Sequence, residues 1–296
     1  FNDLSQYPVY PWVIADYWAL TLDLEDPKVY RDLSKPIGAL DEKRLQSLVE
    51  RYREMPEPKF LYGTHYSTPG YVLYYLLRKA PELTLHLQRG KFDTPDRCFS
   101  SLPACFRSVL SNPADVKELI PDFYAGDGKF LENYQKLDLG ERQDGSAIGD
   151  VILPLWANDA QHLVKTMREA LESEHVSRNL HHWIDLIFGY KQTGEEAAKA
   201  DNVFHPMTYQ GNTEWESLAD DLERKAVREQ VQEFGQCPKQ LFFAPHPAKH
   251  SVLSPQDIPA QPSSSAETKR EDERESASVS ASNSDMQNGG EGASNG

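Results

Sequence analysis

The chain has 296 residues, a net charge of −15 and a pI near 5.0, with 39% hydrophobic and 10% aromatic residues. That acidity opposes nucleic-acid binding and attraction to anionic lipid, since both would repel the protein at range, and it leaves basic or neutral partners as the easier ones. No run of about 18 apolar residues occurs, so no segment reads as a membrane span; Cys98, Cys105 and Cys237 are odd in number and lack metal-ligand spacing, which fits a reducing cytosol.

In chain order, residues 1–40 are rich in proline and aromatics. Pro8, Pro11, Pro27 and Pro36 are too closely spaced for a long helix, so extended, irregular backbone is expected. Asn2, Asp3, Gln6, Asp16, Arg31, Asp32, Ser34 and Lys35 are the side chains suited to its unpaired backbone groups. Asp41 caps a helix whose Leu45, Leu48, Val49 and Tyr52 share one face, and Thr68 and Pro69 suit the cap and first position of another that runs to Lys79. Pro95 and Pro113 read as openings of two more, and Leu163, Met167, Ala170 and Leu171 line a helix starting near Asn158.

Val176, Leu180, Trp183, Ile184 and Ile187 form one apolar stripe of a helix. Gly189 is expected to end it in a left-handed conformation, throwing Tyr190 to Gln192 outward. A short polar helix and an aromatic turn come next. Leu222, Val227, Val231 and Phe234 serve a late helix ending at Gly235. After His250 aromatics vanish, and residues 251–296 hold eight Asp/Glu against three Lys/Arg, so that segment reads as a disordered acidic tail and residues 1–250 keep −10. There is no internal repeat and no alternation of strand and helix, which argues against a doubly wound sheet.

The run WIDLIFGYKQ at 183–192, followed by Gly194, Ala197, Ala200 and Asn202-Val203-Phe204-His205, resembles the signature block of the BEACH domain family. Further blocks agree in order: Asn2-Asp3-Leu4, Pro11-Trp12, Arg31 to Pro36, Tyr62-Gly63, His65-Tyr66-Ser67, Phe92-Asp93, Asp96-Arg97 and Lys117 to Pro121. The resemblance runs from Phe1 to about Pro247. It implies a mainly α fold with extensive irregular segments: a single BEACH-type domain over 1–250, its own start lying upstream of Phe1, plus the tail at 251–296. A pleckstrin-homology-like module usually precedes such domains and WD40 repeats usually come after them.

Catalytic motifs are missing. Neither a dinucleotide-binding nor a P-loop glycine pattern occurs, and there is no G-x-S-x-G elbow. His175, His181 and His182 share only a loosely similar helix face and lack H-E-x-x-H, so neither a metal nor a cofactor is expected. An enzyme remains an alternative in the form of a hydrolase whose site assembles from His65, His205 and dispersed acids; a lipid-binding domain is a third reading, opposed by the charge.

The resemblance therefore implies a non-catalytic scaffold in a cytosolic adaptor that associates with membranes indirectly and peripherally. Its setting would be vesicle, lysosome or autophagy-related traffic or receptor-proximal signalling. Tyr190, Lys191, Gln192, Asn202 and His205 are the candidate interaction residues. Lys191 offers charge and Tyr190 contact area to a pleckstrin-homology-like module or to cargo and signalling proteins. The same residues also suit the locking of irregular backbone.

Overall fold

Proline keeps the chain out of α-helix among the described residues before Leu40, where the two 3-10 turns Pro27–Val29 and Ile37–Ala39 form. The computed structural model describes residues 9–209 and 220–249, all within one compact unit spanning Phe1–His250. The early backbone finds its partners at a distance, through isolated bridges between Tyr10 and Leu119 and between Ile14 and Tyr30. Side chains serve the rest. Asp16 accepts from the backbone N–H groups of Trp18 and Ala19 at 2.9 Å, and Asp32 accepts from Ser34 N at 2.9 Å. Lys35 differs from the expectation, offering its carbonyl to Arg31 at 3.1 Å. Asn2, Asp3, Gln6 and the 251–296 tail lie outside the described residues.

Eight α-helices occur among the described residues: α1 (Glu42–Glu54), α2 (Pro69–Lys79), α3 (Pro81–Leu87), α4 (Leu102–Ser111), α5 (Ala160–Leu171), α6 (Glu174–Ile187), α7 (Gly194–Lys199) and α8 (Asp221–Phe234). No regular strand occurs among these residues, so the mainly helical, irregular architecture is as expected. Asp41, Asp159 and Ser173 cap α1, α5 and α6, accepting from the N–H groups of Arg44, His162 and Val176.

Several expectations need correction. Pro95 opens only a three-residue 3-10 turn, and Pro113 opens no helix. The helix lies between them as α4: Ser101 accepts from Ala104 N at 3.2 Å, Pro103 sits in the first turn, and Pro113 comes directly after the C-cap Asn112 as a stop. Pro81 starts α3 directly after α2, an element without an expectation. Thr68 and Pro69 take the N-cap and first positions of α2 as expected, but the Thr68 side chain makes no capping bond; its hydroxyl donates to Glu233 O at 2.8 Å, at the end of α8.

The core is built from rings. Trp12, Tyr17, Tyr75, Phe99, Phe106 and Phe123 are fully buried, and edge-to-face pairs such as Trp12–Tyr17 (5.4 Å) and Tyr75–Phe123 (5.6 Å) fix their relative tilt. In its middle lies an ion pair. Glu118 receives both Arg31 bonds (2.9 and 2.8 Å), Trp12 N (3.0 Å) and the Trp183 indole N–H (3.2 Å). Four blocks far apart in sequence thus meet on one carboxylate.

Candidate functional site

The signature turn is held by α6, which is anchored twice. Trp183 reaches inward to Glu118, and Asp185, itself buried, accepts from His246 N at 2.8 Å. A buried carboxyl group needs such a donor to replace the hydrogen bonds it loses to water. The α-helix ends at Ile187, with Phe188 as its cap at φ −124. Gly189 is not left-handed, contrary to the expectation. A Cβ there would lie 2.6 Å from Asp185 Cα, so glycine is demanded by the close approach of the turn to the helix rather than by a positive φ.

Two amides hold the chain beyond Gly189. Gln192 donates to Ile187 O (2.6 Å) and to Pro238 O (2.9 Å). Asn202 donates to Leu186 O (2.9 Å) and Lys191 O (3.0 Å), and its own N–H reaches Ala197 O at 2.9 Å. Both side chains are buried. The C-terminal segment then crosses the turn, with the N–H groups of Leu241 and Phe242 donating to Phe188 O at 2.8 and 3.1 Å. The turn is a rigid platform.

Tyr190 and Lys191 stand half-buried upon it, with the Lys191 ammonium 5.6 Å from the Tyr190 ring centre. Beside them burial, reinforced by His181 and Lys191, lowers the pKa of His182. His205 lies apart from this pair. Its Nδ1 accepts from Met207 N at 3.2 Å, capping a short 3-10 turn, and its ring stacks on Phe234 at 4.4 Å. The five candidate residues therefore divide: Gln192, Asn202 and His205 hold backbone, while Tyr190 and Lys191 form the accessible pair.

His65 is 2% exposed, and Ser67 Oγ lies 2.8 Å from its Nδ1. That hydroxyl also meets the backbone N–H and C=O of Gln236, each at 2.9 Å. Burial pushes His65 well below the ordinary histidine pKa and also lowers His205. Both rings are packed by aromatics, Phe204 against His65 and Phe60 and Phe234 against His205. Among the described residues, no group of three or more His, Cys, Asp or Glu side chains is placed to hold a metal ion. His175 stacks on Tyr30 at 4.5 Å, away from the paired rings of His181 and His182. No helix among these residues is long and apolar enough to cross a membrane.

A helical domain whose irregular segments are tied together by buried side chains, with an accessible Tyr–Lys pair on a fixed turn, is the class of protein in hand. The whole of residues 1–249 matches the family model for the Beige/BEACH domain. The chain is 49% identical over 255 residues to BEACH domain-containing protein B of Arabidopsis thaliana, and 48% identical over 256 residues to BEACH domain-containing protein lvsD of Dictyostelium discoideum. Each match covers 84% of this chain but only 10% and 9% of those proteins, so the chain spans about a tenth of the length of these relatives. The chain belongs to the BEACH domain family.

Proposed function

We propose that this chain is a scaffold domain of a larger cytosolic protein that acts peripherally at membranes, in vesicle, lysosome or autophagy-related traffic or in receptor-proximal signalling. In this reading Tyr190 and Lys191 contact a pleckstrin-homology-like module or a cargo protein. The supporting observation is the inward pull of Gln192 and Asn202, which leaves an aromatic ring and an ammonium displayed on a pre-organised base. Rigid display of an amphipathic ring lowers the ordering cost of association. The family resemblance supplies the trafficking setting, where membrane attachment through another module would become local concentration of the partner. No arrangement among the described residues favours the hydrolase reading over this one.

Titration calorimetry of the chain against a pleckstrin-homology-like module encoded upstream in the same gene tests the proposal. Association with a Kd on the order of micromolar, lost in Tyr190→Ala and Lys191→Glu at unchanged melting temperature, is expected. A well-folded chain that binds neither the module nor any protein in pull-downs through this turn overturns it.

A further inference from the structure

The segment after Gly235 crosses the signature turn and runs back along α6. Pro238 O accepts from Gln192 at 2.9 Å, the N–H groups of Leu241 and Phe242 donate to Phe188 O, His246 N donates to Asp185 at 2.8 Å, and the Lys249 ammonium reaches Ser177 Oγ at 3.3 Å. Most of these bonds use the backbone of the segment, so they fix its path while committing few of its side chains. Its large apolar side chains stand in water: Leu241 is 59% exposed, Phe242 39% and Phe243 81%. Scattered single residues of this kind are ordinary. Three in a row, on the segment that crosses the half-buried Tyr190 turn, make a continuous apolar strip, which marks a contact surface.

The strip is cationic although the chain is acidic. Residues 235–249 contain Lys239 and Lys249 and no Asp or Glu, and Lys191 stands on the turn that they cross. Of the acids on α6 and α7, Glu174 pairs with Arg178 and Glu196 with Lys199, each at 2.6 Å, and Asp185 is buried against His246 N. Glu195 is the remaining one. Asp32, which faces His182 from the early segment, has Lys35 beside it. Three ammonium groups thus border the strip with little acid left to answer them. The −15 of the whole chain acts at range, but contact is decided within a Debye length of about 8 Å, where these lysines are the nearer charges.

We propose that this strip binds an acidic segment of another protein, with the partner's apolar side chains against Phe242 and Phe243 and its carboxylates against Lys191, Lys239 and Lys249. The inference rests on the reading of the signature turn as an interface and gives the chemistry of what docks there. A basic segment would meet the same lysines and be repelled. A bilayer is broad enough to meet the acidic remainder of the surface as well, whereas an extended chain touches the strip alone.

The test is the fluorescence anisotropy of fluorescein-labelled peptides titrated with the 296-residue chain at low salt. The probes are DEDLFEELDE, its charge-reversed counterpart KRKLFKKLKR, and DEDSGEESDE, which keeps the charge without the apolar side chains. Saturable binding with a Kd on the order of 50 μM is expected from the first and none from the other two. Phe243→Ser and Lys249→Glu, at exposed positions where the melting temperature stays unchanged, each weaken it by roughly fivefold, and added salt weakens it too. Equal binding of either control peptide, or binding that both variants retain, overturns the proposal. Capture of the chain by phosphatidylserine vesicles through Phe243 and Lys249, in place of the peptide, also overturns it and assigns the strip to a membrane. If the acidic peptide fails while the upstream module still binds in a Tyr190-dependent way, this inference falls and the reading of the turn as an interface stands; if both fail, both fall.

Discussion

Arg31 places one guanidinium nitrogen 2.9 and 2.8 Å from the two oxygens of Glu118, with the side chains 0% and 2% exposed. Two charges in such a place are held by each other and by Trp12 and Trp183. Removing one partner strands the other, at a cost of about 3–5 kcal/mol, whereas an apolar pair of similar volume is often nearly neutral. In urea unfolding, Arg31→Met and Glu118→Leu should each lower stability by that amount, and the double variant by much less than their sum. Additive losses would mean that the pair is not coupled.

Asn202 holds two carbonyls with one amide nitrogen. Asn202→Ala leaves both without that donor and should cost about 2–3 kcal/mol. Asn202→Asp turns a carboxylate towards the same oxygens and should cost more, although the two side chains have nearly the same shape. Thermal melts at pH 7.5 rank the two; an aspartate as stable as the parent would remove Asn202 from its anchoring role.

Gly189→Ala forces a methyl to within 2.6 Å of the Asp185 backbone. Overpacking of this kind costs about 1–3 kcal/mol. Gly149→Ala is the control, since nothing lies within 4 Å of a Cβ there and its φ is not left-handed; it should change stability by less than about 0.5 kcal/mol. Equal effects in denaturant titrations would contradict the steric account.

His65 makes the fold sensitive to acid. Its folded pKa lies well below the ordinary value of 6.5 because burial disfavours the cation, so below pH 6.5 the unfolded chain binds a proton that the folded one refuses. This contribution is fully present above pH 6.5 and is lost as pH falls below it, by up to about 1.4 kcal/mol per pH unit. His182 and His205 act in the same direction. Stability measured from pH 7.5 to 5.0 should fall more steeply in the parent than in His65→Gln; parallel curves would exclude the residue.

What the sequence disclosed was local. The cap Asp41 and the stripe on α6 act over three or four residues, a range that a linear reading spans. Proline was ambiguous: it suits both the first turn of a helix and the point after its last, and Pro113 proved to be the second. Ser101 ahead of Leu102 and Pro103 was the available sign of α4. Gly189 was located correctly but for another reason, because a close approach to Asp185 cannot be told from a left-handed turn without the fold. The division among Tyr190, Lys191, Gln192, Asn202 and His205 depends on carbonyls supplied by Pro238, Leu186 and Ile187, and the Arg31–Glu118 contact joins residues 87 apart. No periodicity carries such pairings.

The meeting of four blocks on Glu118 also orders events in time. During synthesis Trp12 and Arg31 leave the ribosome first, and Glu118 much later; the indole of Trp183 arrives only after most of the domain has been made. Contacts of such range are closed slowly and late. The carboxylate therefore lacks its full set of donors until α6 has emerged, and a nascent chain shorter than that holds a charge it cannot yet bury.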